Sequence, residues 1–490
     1  MFGPLFARKP LEPPGAAEGG LKLRPVLGPL QLTSLGIGAV IGAGIFVSTG
    51  AVIRNVAGPS LMLSYVVAAA VCALAGVCYA EFASMVPVAG SAYTYAYATL
   101  GELLAWIIGW DLCLEYAVGA ATVASGWSSY AQSVLRAVGL ELPLLIRGPT
   151  LALDPAVGHL VATGSLFNLP AVVVVAAVTV VLVLGIRESA NFNTAMVAVK
   201  VTAVVFVIIV GAFYVDPANW HPFAPYGYAG VSLLGRGSPM GMLAGAAIAF
   251  FAYIGFDSVS VHAEEARRPS RDVPIGILGS LAICTLLYMG VVAVLTGMVP
   301  YQQIDVGAPV AEAFRQVGLG WAHLVIAVAG VAGITSVMLV MLLSQPRVLL
   351  AMARDGLLPG RFFGAVHPRF RTPWKGTILT GGIVALLAAL FPIDVLLNLV
   401  SMGTLLAFAI VCGAVLVLRR THPDVPRPFR APGVPLVPIL GMLLCLLLML
   451  SLPPINWVRL VVWLAVGLVV YFGYGIRHSR LRNRPPHSPP

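Results

Sequence analysis

The sequence predicts an all-α integral membrane protein with twelve transmembrane helices. Of the 490 residues, 59% are hydrophobic and only 10% are charged, whereas about 25% of the residues in a typical soluble domain are charged. The apolar residues also fall into twelve runs, most of them close to the roughly 20 residues that a spanning helix needs. Composition and pattern together argue against a soluble enzyme.

We number the twelve apolar runs as segments 1 to 12. Segment 3 is longer than one span, so we expect it to be tilted or to project from the membrane. In order, the segments cover residues 31–53, 59–83, 102–135, 169–186, 190–214, 239–263, 274–299, 320–345, 376–391, 393–418, 434–453 and 455–476.

The basic residues predict the orientation. With an even number of spans both termini lie on one side, and we expect that side to be the cytoplasm. Of the 29 Lys and Arg residues, 22 then fall in cytoplasmic segments, six in external ones, and Lys200 lies within the membrane. This bias follows the positive-inside rule, and it explains the net charge of +10 by topology and anionic lipid rather than by nucleic acid.

The two ends of the chain are expected to be cytoplasmic tails. Residues 1–30 contain six prolines, among them Pro4, Pro10, Pro13 and Pro14, and no apolar core, so we predict a disordered tail rather than a cleavable signal peptide. Residues 477–490 form the second tail. These features predict a multi-pass protein of the cell (inner) membrane.

The cysteines are expected to be packing residues. All six lie inside apolar runs, without disulfide or metal-ligand spacing. They are Cys72, Cys78, Cys113, Cys284, Cys412 and Cys445.

Segment 1 holds an unusual density of glycine. Gly36, Gly38, Gly42 and Gly44 fall within nine residues, although glycine is unfavourable in a helix interior. One interpretation is close helix packing through small residues four apart. The other is a helix broken near the middle of the membrane, which exposes backbone N–H and C=O groups to a cavity.

Segment 6 has a matching irregularity. Residues 249–257 (Ala-Phe-Phe-Ala-Tyr-Ile-Gly-Phe-Asp) combine a glycine, four aromatic residues and an acid. Interrupted segments at equivalent positions of two five-helix halves indicate a transporter built from inverted repeats. The halves would be residues 31–214 and 239–418, with residues 434–476 adding two C-terminal helices.

Four ionisable residues lie deep inside predicted spans, where charge is costly and function is the default hypothesis. Asp111 and Glu115 are four residues apart on segment 3 and share a helix face. Asp257 ends the irregular stretch of segment 6. Structural pairing with backbone or with a neighbouring helix remains the alternative for Asp111 and Asp257.

Lys200 lies within a span, far from either end of segment 5. Desolvation makes the protonated amine costly at such a site. Three roles remain open: a proton carrier, a permanent substitute for a bound sodium ion, or a partner in a structural ion pair.

Signatures of other classes are missing from the sequence. It contains no phosphate-binding loop, no His-Glu-x-x-His sequence and no paired catalytic set, so we expect neither an enzyme nor a bound cofactor or metal. A channel would need a ring of polar residues along several helices, whereas the polar residues here are isolated. A carrier of polyamines or other organic cations is a further alternative, but binding a polycation needs several carboxylates, and these are sparse in the sequence.

Several stretches resemble the amino acid–polyamine–organocation superfamily. Residues 40–46 (Val-Ile-Gly-Ala-Gly-Ile-Phe) resemble its first helix and residues 250–257 its sixth. Residues 264–277 and 347–359 are similar to the loop after the sixth helix and the end of the eighth. Residues 429–435 (Phe-Arg-Ala-Pro-Gly-Val-Pro), with 457–463 further on, resemble the cationic amino acid transporter family.

The resemblance implies five-plus-five inverted helices, discontinuous helices 1 and 6, and alternating access. It also implies that an amino acid binds at the two breaks. Backbone N–H groups of helix 1 would bind the carboxylate at a positive helix end, and main-chain carbonyls of helices 1 and 6 would bind the ammonium. The N–H groups are those of Ile41, Ala43, Gly44 and Ile45, and the carbonyls lie near Ile41, Phe251 and Ile254, with the Phe251 ring as a gate.

By the same resemblance, Lys200 occupies the site that sodium fills in sodium-coupled relatives. It would face Gly38 or Ala39 on helix 1 and Thr335 or Ser336 on helix 8. Glu115 matches an acidic residue of the third helix and would join this polar network. Proton coupling or exchange is therefore expected, rather than sodium coupling.

The substrate hypothesis depends on Met341, which aligns with a pocket position that is small in arginine carriers. A methionine there shortens the pocket, so we expect neutral, small-to-medium L-amino acids. The alternative is a cationic (Arg/Lys) transporter or an amino acid/polyamine exchanger. The expected partners are an L-amino acid, protons and the lipid bilayer. A single-helix membrane partner is possible but not indicated, and the cysteine that a light-chain subunit would need is missing from residues 136–168.

Overall fold

The computed structural model describes residues 27–42, 44–85, 92–153, 160–185, 190–230, 240–261, 266–421 and 423–482. Most of these residues are helical. Of the predicted tails, residues 1–26 and 483–490 lie outside the described residues, and so does the candidate site residue Ala43.

Single helices occupy the positions of ten predicted segments. Pro274 and Pro346 are accommodated inside two of them. The helices are Leu61–Met85, Glu102–Ala137, Leu169–Leu184, Ala190–Ala212, Pro269–Met298, Gly320–Arg354, Trp374–Leu390, Ile393–Thr421, Leu436–Ser451 and Pro454–Val470.

Segment 1 is interrupted. An α-helix covers Pro29–Val40, and Ile41 then has extended backbone angles (φ −72°, ψ 111°). The chain resumes as a π-helix over Gly44–Ser48, followed by an α-helical turn at Thr49–Val52 and a second π-helix at Ile53–Ala57.

Segment 6 is interrupted as well. Its α-helix covers Met242–Ala249 and tightens to a 3-10 helix over Phe250–Tyr253. Ile254 is then extended (ψ 130°), and Gly255 has φ +113°, a conformation that residues with a side chain rarely adopt. A short helix, Ser258–Val261, follows.

The connections contain short elements that the hydropathy pattern does not predict. Two antiparallel strands, Leu151–Leu153 and Leu160–Ala162, pair in the connection after segment 3, with Leu151 opposite Ala162. Short α-helices lie at Ala92–Thr99, Pro309–Gln316, Gly360–Phe363 and Ile476–His478, a π-helix at Tyr471–Gly475, and 3-10 helices at Gly58–Ser60, Leu144–Ile146, Pro217–Trp220 and Tyr301–Gln303.

Length and composition mark the chain as a multi-pass membrane protein. Six helical stretches are long and apolar enough to cross a bilayer: Pro29–Phe82, Glu102–Ala137, Pro269–Met298, Gly320–Arg354, Ile393–Thr421 and Pro454–His478. Five shorter apolar helices accompany them. Large apolar side chains also point outward, such as Val469 (73% exposed) and Leu286 (69%), as expected where lipid replaces water.

Segment 3 lies at the centre of the packing and contacts segments 8 and 10. It also holds segment 12 through two tryptophans. The Trp110 indole Nε1 donates to the Trp463 carbonyl at 2.9 Å, and the Trp463 indole donates to the Trp110 carbonyl at 3.1 Å. Their rings stack with centroids 4.7 Å apart.

Candidate functional site

The interruptions of segments 1 and 6 lie against each other. A Cβ atom on Gly44 would overlap the backbone and side chain of Ala252, so only glycine permits this approach. On the other side of the breaks, a Cβ on Gly255 would lie 2.9 Å from the Ala39 carbonyl oxygen. These contacts bring the irregular backbone of both segments together in the protein interior.

The N–H groups proposed for carboxylate binding are only partly free. The Ile41 N–H donates to the Ile37 carbonyl at 2.8 Å. The expectation of a free N–H at Ile41 is therefore wrong, because the last hydrogen bond of the helix reaches one residue beyond Val40. Gly44 and Ile45 are buried at the start of the following π-helix.

The candidate residues of segment 6 are buried as well. Phe251 is 3% exposed and Ile254 is 6% exposed. The Phe251 carbonyl accepts the Ile254 N–H at 3.2 Å, which leaves this oxygen one further lone pair.

Lys200 connects segment 5 to the end of the segment 1 helix. Its ammonium Nζ donates to the Gly38 carbonyl oxygen at 2.9 Å, and the side chain is 3% exposed. Gly38 belongs to the last turn before the break, where carbonyls lack intrahelical partners and the helix dipole is negative. A cation at this point stabilises the helix end.

The hydroxyl groups of segment 8 are engaged elsewhere. The Lys200 methylenes lie against Gly333. Thr335 Oγ1 accepts the Trp127 indole N–H at 2.9 Å and donates to the Val331 carbonyl at 2.7 Å. Ser336 donates to the Gly333 carbonyl at 3.0 Å. Within the described part of the chain, the hydrogen bond of Lys200 goes to segment 1 rather than to these hydroxyls.

Met341 and the acidic residues line the boundary between segment 3 and its neighbours. Met341 is 5% exposed, and its sulfur lies over Gly119 of segment 3. Glu115 and Asp111 follow one and two turns below Gly119 on the same helix face. Both are buried, and Asp111 packs against Gly403 of segment 10. Asp257 is only partly buried.

Two buried tyrosines bind carbonyls near the breaks, a third packs beside them, and the sequence analysis missed their hydrogen bonds. The Tyr288 hydroxyl reaches the Val40 and Ala252 carbonyls, and Tyr65 reaches that of Gly44. Tyr253 donates to the Tyr65 carbonyl at 3.0 Å. The only available signal was a tyrosine inside an apolar segment, where a hydroxyl needs a partner.

The helical fold is that of a multi-pass membrane protein, and the family match makes it a transporter rather than an enzyme. The family model for amino acid permeases matches residues 27–474, and the chain belongs to this family, within the amino acid–polyamine–organocation superfamily.

Individual relatives cover nearly the whole chain. It is 48% identical to the branched-chain amino acid permease BcaP of Bacillus subtilis, over 98% of this chain and all of that protein. It is 46% identical to the methylthioribose transporter of the same organism, over 97% of this chain and 99% of that one. It is 39% identical to the vacuolar cationic amino acid transporter 4 of Arabidopsis thaliana, over 86% of this chain and 66% of that one.

Proposed function

We propose that the protein is a secondary active transporter that moves neutral, small-to-medium L-amino acids by alternating access, coupled to protons through Lys200. The observation that carries the proposal is the 2.9 Å hydrogen bond from Lys200 Nζ to the Gly38 carbonyl, next to the break in segment 1. It links the buried Lys200 amine to the backbone that would bind substrate.

The proposed architecture is twelve spans, with segments 1–5 and 6–10 as inverted repeats and segments 11 and 12 added. The packing supports this architecture. If segments 1 to 5 correspond in order to segments 6 to 10, each contact between helices should have an equivalent contact in the other half. Segment 1 packs on segment 7, and the equivalent segment 6 packs on segment 2; segment 3 packs on segments 9 and 10, and the equivalent segment 8 packs on segments 4 and 5. The halves would be residues 31–214 and 239–418, followed by 434–476.

The substrate would bind between the two breaks. Gly44 and Ile45, at the start of a helical stretch, can offer N–H groups to the carboxylate, and Ala43 belongs to the same proposal. The carbonyls of Ile41, Phe251 and Ile254 can accept from the ammonium. The Phe251 ring would cover the bound amino acid.

Lys200 would carry the coupling proton. Its amine lies in a dry site, where the charged form is costly unless a carbonyl compensates it. Movement of the segment 1 helix away from Lys200 would remove that compensation and favour release of the proton. Glu115, Thr335 and Ser336 would complete the polar surroundings.

The preference for neutral substrates rests on Met341, which fills the space beside Gly119 where a long side chain would extend. The branched-chain permease is a relative with neutral substrates, in line with this preference. Cationic amino acids, or exchange against polyamines, remain the alternative, with Asp257 as a group that would attract them.

Methylthioribose is a second candidate substrate, favoured by the 46% identity to a methylthioribose transporter. This sugar has neither the carboxylate nor the ammonium of an amino acid. Methylthioribose would therefore make other hydrogen bonds at the breaks of segments 1 and 6. Competition against amino acids distinguishes the two candidate substrates.

The orientation is part of the proposal. The excess of Lys and Arg in alternate connections supports cytoplasmic tails at residues 1–30 and 477–490, and a location in the inner membrane of a bacterium.

Uptake into proteoliposomes tests the proposal. Radiolabelled alanine is supplied to the purified protein, with leucine, arginine, putrescine and methylthioribose as competitors at equal concentration. Saturable alanine uptake that leucine inhibits more strongly than arginine supports the proposal. Inhibition by arginine alone would overturn the argument from Met341, and inhibition by methylthioribose without alanine flux would favour the second candidate.

A further inference from the structure

Tyr288 touches both helix interruptions with a single atom. It lies in the helix Pro269–Met298 and is completely buried. Its hydroxyl oxygen is 2.9 Å from the carbonyl oxygen of Val40 and 3.1 Å from that of Ala252. Val40 ends the first part of segment 1, and Ala252 lies in the 3-10 turn at the break of segment 6.

A phenol hydroxyl has one proton, and these two distances allow that proton to be shared between both carbonyls in a three-centre hydrogen bond. Both carbonyls lie where helical hydrogen bonding is interrupted, and in a dry interior such groups need another donor. A donor shared by both carbonyls holds the Val40 and Ala252 oxygens close to the Tyr288 hydroxyl. Removing the hydroxyl takes this donor away from two buried carbonyl oxygens.

The ring of Tyr288 is held independently of the hydroxyl. It packs against the rings of Tyr65, at a centroid distance of 5.1 Å, and Tyr253, at 5.6 Å. Those tyrosines have their own partners: Thr49 and Gly44 for Tyr65, and Thr285 for Tyr253. Phenylalanine at position 288 would keep the packing and lose only the bridge.

The two carbonyls adjoin the backbone that would bind the substrate. Val40 precedes Ile41 in segment 1, and Ala252 follows Phe251 in segment 6. The separation between the groups for the carboxylate and the groups for the ammonium thus depends on the relative position of the two breaks. Contact between Gly44 and Ala252 sets a minimum for that separation, and the hydroxyl bridge opposes its increase.

The geometry points to Tyr288 as a positioning residue that sets selectivity for α-amino acids. The bridge holds the carboxylate and ammonium subsites at the separation of an α-amino acid and excludes β-amino acids, whose charged groups are one bond further apart. This inference rests on the proposed amino acid site and adds the residue that fixes the distance between its carboxylate and ammonium subsites.

The test compares uptake of α-alanine and β-alanine by wild type and Tyr288→Phe in proteoliposomes. In the variant, KM for α-alanine is expected to rise about tenfold, the loss expected for one buried hydrogen bond, while the maximal rate is largely retained. The ratio of α- to β-alanine kcat/KM is expected to fall. A purely structural role would lower the uptake of both substrates in parallel and leave this ratio unchanged.

Tyr130→Phe is the matched control. Tyr130 is also fully buried in a helix, against Gly330 and Phe46, and among the residues described its hydroxyl makes no hydrogen bond to segment 1 or segment 6. Its removal is expected to leave both KM and the α/β ratio at the wild-type values. A change of the ratio in this control equal to that in Tyr288→Phe would overturn the inference.

Tyr288→His keeps a ring with an N–H donor and is expected to recover part of the α/β ratio. This variant also replaces Tyr288→Phe as the test if the phenylalanine variant does not reach the membrane. The histidine N–H cannot occupy the position of the tyrosine hydroxyl, so the α/β ratio should stay below that of wild type. An α/β ratio equal to that of wild type in Tyr288→His would count against the inference. An unchanged KM and ratio in Tyr288→Phe, with normal wild-type uptake, would overturn this inference alone. Absence of amino acid uptake by wild type would overturn the proposed function and this inference with it.

Discussion

The Lys200 ammonium donates a hydrogen bond to the Gly38 carbonyl at 2.9 Å, across 162 residues of sequence. The amine caps the negative end of the first helix of segment 1, where a bound cation would otherwise be favoured. The Trp127 indole N–H donates a hydrogen bond to the Thr335 hydroxyl, a group that could otherwise serve as a ligand for such a cation. Under the proposed coupling role of Lys200, these contacts favour an amine over a metal ion at this position.

Replacing Met341 is expected to widen the substrate range. In Met341→Ala, the space beside Gly119 opens, and a longer side chain can enter it. We expect arginine and lysine to compete for alanine uptake about tenfold better than in wild type, a change that corresponds to roughly 1.4 kcal/mol. The measurement is the concentration of each competitor that halves alanine uptake.

Met352→Ala provides the control for Met341. Met352 lies on the same helix, is fully buried, and also places its sulfur over a glycine of segment 3, Gly109. Met352→Ala removes the same side-chain atoms as Met341→Ala, but at a position outside the proposed pocket. We therefore expect thermal stability to fall while the ranking of competitors stays unchanged. The same gain for arginine in both variants would show that core loosening, and not the pocket, governs selectivity.

Glu81 is expected to hold segment 2 to the end of segment 10. Its fully buried carboxylate accepts two hydrogen bonds from Arg419, at 3.0 and 2.7 Å, and the Ala431 N–H at 2.8 Å. Glu81→Gln leaves the Arg419 charge without its partner, which costs about 3 kcal/mol where the pair is well buried. We expect a clearly lower melting temperature for the detergent-purified protein, as monitored by tryptophan fluorescence.

Glu141→Gln makes the same chemical change on an exposed loop and is expected to leave the melting temperature unchanged. Equal melting temperatures for Glu81→Gln and wild type would contradict the stabilising role assigned to this ion pair.

The short helix Pro309–Gln316, in the connection between segments 7 and 8, is expected to contribute pH-dependent stability through Glu312. Burial alone would raise the pKa of this carboxyl, but hydrogen bonds from Arg315 and Ser133 and the charges of Arg315 and Arg136 lower the pKa below the ordinary value of 4.5. A lowered pKa in the folded state adds stability above the unfolded-state pKa, and this stability is lost as the pH falls through the folded-state value.

Glu312→Gln should therefore lower the melting temperature at pH 7. The difference from wild type should shrink below about pH 4.5, the ordinary pKa of this carboxyl, where it protonates in the unfolded chain. The check is a series of melting curves for both proteins from about pH 7 to about pH 3, so that the series extends below this value. A difference that does not depend on pH would show that packing, and not charge, accounts for the effect of this residue.

Much of the helical framework could be predicted from the sequence, because apolar length alone decides where a chain can cross lipid. The predicted segment 3, residues 102–135, corresponds to the helix Glu102–Ala137. The glycine cluster of segment 1 and Gly255 of segment 6 identified the two interruptions. The helix Ala92–Thr99 escaped prediction because eight residues in a connection leave no hydropathy signal.

Contacts between segments could not be predicted in the same way. Neither the bond from Trp127 to Thr335 nor that from Tyr288 to Val40 follows from spacing, since the partners are 208 and 248 residues apart. The Ile41 N–H was wrongly expected to be free, because the end of a helix depends on backbone angles that the residue types do not determine. Lys200 was identified by its cost in the membrane, but its partner Gly38 came only from the family resemblance.

The central claim is that Lys200 couples amino acid movement to protons. The most direct test measures alanine accumulation in proteoliposomes containing wild type or Lys200→Met, with and without an inward proton gradient. We predict that wild type concentrates alanine only when the gradient is present and that Lys200→Met, which keeps the length of the side chain without its charge, does not. Gradient-driven accumulation by the variant, or wild-type uptake that responds to internal amino acid but not to the gradient, would contradict the account.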